Sequence, residues 1–189
     1  MLRKKKRSIL LIALAVVVVA IGAALAVAAF KGRSYYSPEK AAEYANKHAQ
    51  ERSIKRCAGY VRLAMQNGGG IYLVGWPQRA CDYFEFLPVL GFEEVHEPYQ
   101  NGDIVVFDAT ENHIFGHIAI YYNGKWYSDF KQRGFYVASE YRNARYAIFR
   151  KAAGKQNSNV FKQLWCLTKM HASYIVIGPS VLWKYIKEN

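Results

Sequence analysis

Most of what this chain can fold into follows from the stretch His117-Ile118-Ala119-Ile120-Tyr121-Tyr122-Asn123-Gly124-Lys125-Trp126-Tyr127. β-Branched and aromatic residues predominate on both sides of Asn123-Gly124, a dipeptide typical of hairpin turns. The second arm should extend to about residue 130, and two further runs of similar composition lie at 104–107 and 146–149. These runs predict a small antiparallel sheet.

Two helices should precede this sheet. Residues 37–39 read Ser-Pro-Glu, which supplies an N-cap, a first-turn proline and a first-turn acid for a helix reaching about residue 50. A second helix should begin near Ser53 and carry Cys57 in its first turns. The three glycines at 68–70 should end it.

The remaining segments show weaker patterns. Residues 71–99 lack a sustained period, and we expect only a short helix around 83–87 there. Helices followed by strands predict an α+β domain over residues 31–150, with the helices on one side of the sheet. Residues 151–189 form a tail to which we assign no role, with a helix expected over 160–170.

The N-terminal segment, residues 1–30, is a membrane or export signal in composition. Residues 3–7 are all basic, and the 22 residues from 9 to 30 are apolar or small. As a helix they would extend about 33 Å, enough to cross a bilayer. We expect an uncleaved transmembrane anchor, although Ala26-Val27-Ala28 also fits a cleaved export signal. The more basic flank tends to stay inside, so the domain should be membrane-anchored on the periplasmic or extracellular side, or secreted.

The net charge of +12 restricts the choice of partners. The chain stays basic without its first thirty residues, because these hold five of the cations and no acid. A basic domain suits an anionic envelope polymer or a membrane surface, or it is simply solvated. No nucleic-acid-binding motif is present, and we expect no nucleic-acid partner.

Cys57 and His117 are the residues from which we expect chemistry. A thiol attacks an acyl carbon as thiolate, and a helix N-terminus beside an imidazole favours that form. Cys57 has the helix position, and His117 heads an apolar strand. A third polar group usually orients the imidazole, and Asp129 is the candidate.

The register of the hairpin determines whether Asp129 can reach the imidazole. A two-residue turn at Asn123-Gly124 would set His117 opposite Phe130 and leave Asp129 on the other face, because neighbouring strand residues point to opposite faces. A three-residue loop with Gly124 as a left-handed bulge would set His117 opposite Asp129. We predict the bulged loop, which also places the small Ala119 against the second helix and turns its branched neighbours away.

Three segments in this order resemble the NlpC-type and CHAP peptidoglycan hydrolases. They are Cys57-Ala58-Gly59-Tyr60-Val61, Gly102-Asp103-Ile104-Val105-Val106-Phe107 and Gly116-His117-Ile118-Ala119-Ile120-Tyr121. The resemblance covers roughly residues 37–150. Bacterial amidase toxins delivered against rival cells share this core and its brevity.

The resemblance implies a papain-like fold and the cleavage of amide bonds in cell-wall peptides. Cys57 would be the nucleophile, His117 its base and Asp129 the orienting residue, with the Cys57 N–H helping to form the oxyanion hole. The implied partner is peptidoglycan, and no metal or organic cofactor is implied. This chain departs from the NlpC pattern at Arg56, where aspartate is usual, and at Asp129, where His, Asn or Gln is usual. A protein inhibitor is a further possible partner, because a free wall hydrolase endangers its own cell.

Other functions compete with this interpretation. The main alternative is a catalytically inactive module of the same fold that binds the cell wall or assists envelope assembly, and a second is the same chemistry on protein or lipid amides. His113 and His117 lie four apart, but that spacing converges on a zinc ion only on a helix. Of the three cysteines, Cys81 and Cys166 could pair and leave Cys57 free, but the sequence leaves the other two pairings open, and all three could also be unlinked.

Overall fold

The computed structural model describes residues 17–18, 35–71, 73, 75–155 and 161–171. The expected membrane segment, residues 9–30, lies outside them except for 17–18, and so do 156–160 and 172–189 of the tail. Among the residues that are described, no helix combines the length and the apolar character needed to cross a membrane.

The helices do not all precede the strands along the chain. The helices are α1 (Pro38–His48), α2 (Cys57–Leu63, continued by a π-helical turn at Ala64–Gly68), α3 (Tyr83–Val89), a 3₁₀ turn (Ser139–Arg142) and α4 (161–171). The strands are β1 (Tyr35–Tyr36), β2 (Glu93–Val95), β3 (Ile104–Phe107), β4 (His117–Tyr122), β5 (Lys125–Tyr127), β6 (Tyr146–Arg150) and β7 (Gly154–Lys155).

Five of the strands form one antiparallel sheet in the order β2-β6-β3-β4-β5, and β1 pairs with β7. One face of the large sheet, through Ile104, Val106, Ile118 and Ile120, shares a hydrophobic core with α1, α2, α3 and α4. The expected α+β architecture, with helices on one side of a small antiparallel sheet, is therefore confirmed. The helix expected at 160–170 is also present, and its Cys166, Leu167 and Met170 are buried in that same core.

The other face of the sheet is covered as well, by aromatic side chains from loops. Val105, Phe107, Ala119 and Ile148 pack there with Trp126 and Tyr141, flanked by Tyr99, Phe135 and Tyr136. The Phe107 ring alone lies within 6 Å of the rings of Phe135, Tyr136, Tyr141 and Tyr146, measured between centroids. Both faces are dry, which explains why all four residues of β3 are buried.

Helix α1 begins as the sequence predicts. Ser37 is its N-cap, and the Ser37 hydroxyl accepts a hydrogen bond from the Lys40 N–H at 3.4 Å. The small alanines of α1 let the π-helical turn approach closely. A Cβ on Gly68 would lie 2.4 Å from the Lys40 carbonyl oxygen, so only glycine fits this contact.

The predicted bulged hairpin is wrong. Tyr122 pairs with Lys125, and Asn123 and Gly124 form a two-residue turn with φ values of 46° and 81°. Both residues accept positive φ, so a primed turn forms and matches the strand twist without a bulge. Ile118 and Ile120 consequently face the helices, whereas Ala119 lies on the opposite face, the reverse of the expected arrangement.

Three segment boundaries also differ from expectation. Helix α2 begins at Cys57 rather than near Ser53, and β5 ends at Tyr127 rather than at residue 130. The strand β2 at the sheet edge was not predicted, because its sequence, Glu-Glu-Val, is short and charged. The expected helix at 83–87 is present and extends to Val89.

A buried ion pair lies at the start of β3. Asp103 is fully buried, and its two carboxylate oxygens accept from Nε and Nη2 of Arg150, each at 2.7 Å. One of them also accepts from the Gln100 N–H at 2.8 Å. A carboxylate this deep in the protein needs such partners, because burying an unpaired charge is costly.

We expect Arg150→Met to lower the free energy of unfolding by about 2 kcal/mol, less than for a fully enclosed pair because water reaches the Arg150 side chain. Urea denaturation measures this, with Lys125→Met as the control at an exposed turn-flanking position. Equal free energies of unfolding for the two variants would contradict the expected contribution of the Asp103–Arg150 pair to stability.

Candidate active site

Cys57 lies at the first position of α2, where backbone N–H groups are directed at its sulfur. The thiol is half-buried, and the N–H groups of Cys57, Ala58 and Ile118 are within hydrogen-bonding reach of it. The Ile118 nitrogen is bonded to the carbonyl carbon of His117, so the sulfur lies beside the first peptide of β4. The structure therefore places the Cys57 sulfur beside the backbone that follows His117, and the catalytic roles of the two side chains stay predictions.

Asp129 fixes the loop that directly precedes Cys57. Its Oδ2 accepts from the Ile54 N–H at 2.7 Å, the Ser53 hydroxyl at 3.0 Å and the Arg56 N–H at 3.2 Å. Its Oδ1 accepts from the Ser128 hydroxyl at 3.1 Å. The Ile54 and Arg56 N–H groups therefore donate to Asp129 and not to the first turn of a helix. This explains why α2 begins at Cys57 and not near Ser53.

Asp129 does not bond the imidazole, and its predicted role as the orienting residue is not what the structure shows. The partner of His117 is Gln132, whose side-chain nitrogen lies 2.6 Å from His117 Nε2. Both side chains are buried, and the Phe107 and Tyr141 rings lie 6.3 and 6.0 Å from the imidazole. Sequence reasoning missed Gln132, although the resemblance pattern, with its usual His, Asn or Gln, pointed to such a residue after the hairpin.

The contact between Gln132 and His117 has two chemical versions, because the amide oxygen and nitrogen are distinguished only by their partners. If the amide nitrogen donates, His117 Nε2 is an acceptor and Nδ1 carries the proton. If the amide oxygen accepts, Nε2 carries the proton and Nδ1 is a free base. Only the second version leaves an imidazole nitrogen able to take a proton from Cys57.

Burial keeps both reacting groups neutral at rest. It raises the pKa of the Cys57 thiol to about 11, and the Asp129 charge acts in the same direction against opposing backbone hydrogen bonds. Burial also lowers the pKa of His117 to about 4, with Asp129 opposing that change. A proton transfer from Cys57 to His117 would create a thiolate and an imidazolium together, and their attraction would offset part of the cost of burying each charge.

Tyr141 is a further residue of the site that sequence reasoning missed. It is buried on the 3₁₀ turn, and its ring stacks on His113 at 5.1 Å. Burial and the charge that Cys57 would carry both raise the pKa of Tyr141, so its hydroxyl stays protonated and can donate a hydrogen bond. No sequence signal marks this residue, because it is one of 15 tyrosines.

The other cysteines and histidines form no second centre in the part of the chain that is described. Cys57, Cys81 and Cys166 are free thiols, and Cys166 Sγ faces the Glu85 carbonyl oxygen at 3.9 Å, so the possible Cys81–Cys166 disulfide is not formed. The described residues contain no group of three or more metal-ligating side chains.

Comparison with known proteins places this site in a family. No family model matches the chain, and no curated protein does. Among solved structures, the chain is similar to one in the type VI native effector–immunity complex Tae3–Tai3 from Ralstonia pickettii, with 38% identity and a TM-score of 0.58 over 62% of this chain and 100% of that one. The chain belongs to the Tae3 effector family. A second crystal structure of the Ralstonia pickettii complex, from selenomethionine protein, matches at 39% identity and a TM-score of 0.54, over 58% of this chain and 97% of that one.

The Tae3 likeness refines the resemblance drawn from the motifs. It supports a family of type VI effectors rather than the NlpC or CHAP hydrolases specifically.

The neutral resting pair has a measurable consequence. We expect alkylation of Cys57 by iodoacetamide to be slow at neutral pH and to increase beyond about pH 9, because only the thiolate reacts and the raised pKa moves its formation upward. Peptide mapping by mass spectrometry assigns the label to Cys57, and the Cys57→Ala chain is the blank. A rate that is already maximal at neutral pH would instead show a thiolate–imidazolium pair at rest.

Proposed function

We propose that this chain is a peptidoglycan amidase of the Tae3 family, which cleaves amide bonds in cell-wall peptides with Cys57 as nucleophile. The observation that carries the proposal is the arrangement of Cys57 at the start of α2 beside His117, whose imidazole is held by Gln132. Membership of a type VI effector family and the papain-like motif order support it. The net positive charge suits an anionic wall polymer.

In the first half of the reaction, His117 takes the thiol proton as the Cys57 sulfur attacks the amide carbon. The resulting oxyanion is stabilised by N–H groups at the start of α2, with the Cys57 N–H as first donor and the Tyr141 hydroxyl as candidate second donor. The intermediate then collapses, the carbon–nitrogen bond breaks, and His117 returns the proton to the leaving amine. A thioester on Cys57 remains.

In the second half, water hydrolyses the thioester. His117 accepts a proton from the water as its oxygen attacks the acyl carbon, and the carbon–sulfur bond then breaks to release a carboxylic acid. The proton returns to Cys57, which restores the neutral pair. The residues described supply every proton transfer in this sequence, and no step uses a metal or an organic cofactor.

The site of action and the partner follow from the same proposal. We place the domain on the wall side of the membrane, exported or anchored by residues 1–30. The related Tae3 effector was crystallised with its immunity protein Tai3. We therefore propose a cognate immunity protein as the inhibitor that protects the producing cell.

Cys57→Ala should abolish the release of new muropeptides from purified peptidoglycan, because the thioester in the proposed mechanism forms on the Cys57 sulfur. Mass spectrometry of the products tests this and identifies the bond that is cut. Cys166→Ala is the matched control, a cysteine-to-alanine change on α4 that should leave turnover unchanged. Intact peptidoglycan after incubation with folded wild-type chain would favour a wall-binding module instead.

Gln132 and Asp129 should respond differently to substitution. Gln132→Ala should lower kcat by about a hundredfold, more than the accompanying fall in melting temperature explains, and Gln132→Asn should recover part of the loss in kcat, because the amide orients the base. Asp129→Ala should mainly lower the melting temperature, since it releases the loop before Cys57. The assignment fails if Gln132→Ala retains full kcat.

A further inference from the structure

An open groove with a basic lining lies next to the candidate active site. Its volume is about 290 Å³, and we call it the basic groove; it is lined by Glu51, Arg52, Ser53, Phe130, Lys131, Gln132, Arg133, Gly134, Tyr136 and Val137. The lining comes from two segments only, the loop that leads into α2 and the stretch after β5.

The basic groove shares structure with the catalytic constellation. Gln132 lines it and also contacts His117 at 2.6 Å. Ser53 lines it from the other side, and its hydroxyl donates to Asp129, which holds the loop that ends at Cys57. A peptide that lies in the basic groove is therefore positioned relative to the sulfur by the residues that also position the reacting groups.

Charge in the basic groove is unbalanced. Arg52, Lys131 and Arg133 are exposed, against the single acid Glu51. Within the described part of the chain, none of these three cationic side chains has a hydrogen bond or an ion pair. Other arginines of the domain do have partners: Arg150 pairs with Asp103, and Arg145 lies over the Phe84 ring.

We propose that the basic groove binds a free carboxylate of an acidic peptide, and so positions the acidic stem peptide of the wall on one side of the amide that Cys57 attacks. The inference rests on the proposed function. Guanidinium groups bind carboxylates with two parallel hydrogen bonds, which fixes orientation as well as adding affinity. Phe130, Tyr136 and Val137 offer apolar surface for the aliphatic part of such a peptide.

The test measures binding to full-length Cys57→Ala, so that turnover does not interfere. The two probes are a synthetic stem peptide with free carboxylates and the same peptide with each carboxylate converted to an amide. Binding is measured by calorimetry on Cys57→Ala alone and with Arg52→Gln plus Arg133→Gln added. Lys125→Gln is the matched control, because Lys125 is exposed at the hairpin turn, at the opposite end of β4 from His117.

We expect the acidic peptide to bind more tightly than the amidated one, and the double arginine variant to lose about tenfold in affinity for the acidic peptide alone. The Lys125→Gln control should keep the preference. The proposal is overturned if Cys57→Ala binds neither peptide, or if the double variant keeps the full preference for the acidic one.

Digestion of peptidoglycan by the Cys57-containing chains, carried out in parallel, separates the two proposals. Release of muropeptides with no loss of peptide preference in the arginine variant would refute the carboxylate site and leave the amidase intact. Carboxylate-dependent binding without any Cys57-dependent release would refute the amidase and support the groove as a binding site. Unchanged melting temperatures of the exposed arginine variants show that the fold is preserved.

Discussion

The structure depends on the buried carboxylate of Asp129 and the hydrogen bonds that surround it. Asp129 follows β5, yet it accepts from the loop before α2, so one side chain joins the hairpin to the segment that leads into Cys57. Hydrogen bonds to a charged acceptor are stronger than neutral ones, and losing one partner would leave a charge in an apolar interior. The start of α2 at Cys57, and hence the direction of the backbone N–H groups around the sulfur, follows from this connection.

Much of the architecture was accessible from the sequence, because the signals were local. Ser37 with Pro38 defines the start of α1, and the β-branched runs define β3, β4 and β6. The placement of Cys57 in the first turn of a helix and of His117 at the start of a strand was also accessible, because each position carries a local pattern; their catalytic roles stay predictions. The residue that contacts the imidazole, Gln132, was not predicted. Its identity depends on the register of the hairpin, and a shift of one residue moves every side chain of a strand to the opposite face.

That failure has a specific physical cause. Asn123-Gly124 favours a two-residue turn, because both residues accept positive φ without strain. A bulge would bring Asp129 opposite His117, but it would not use the turn that Asn123-Gly124 favours. The preferred turn ends β5 at Tyr127 and lets the chain loop back until Gln132 reaches the imidazole. A non-local return of this kind leaves no periodic pattern in the sequence, and neither does the placement of Tyr141.

A neutral amide suits the orienting role better than the nearby carboxylate would. The Asp129 charge raises the pKa of both Cys57 and His117. It therefore opposes formation of the thiolate while it favours the imidazolium, and these effects partly cancel when a proton moves from one group to the other. The Gln132 side chain contacts His117 Nε2 and carries no charge, so it can fix the tautomer of the imidazole without favouring the protonated thiol. Asp129 then contributes to the site chiefly by fixing the loop before Cys57. The relative proton affinities of the thiol and the imidazole depend mainly on burial and on the Gln132 amide.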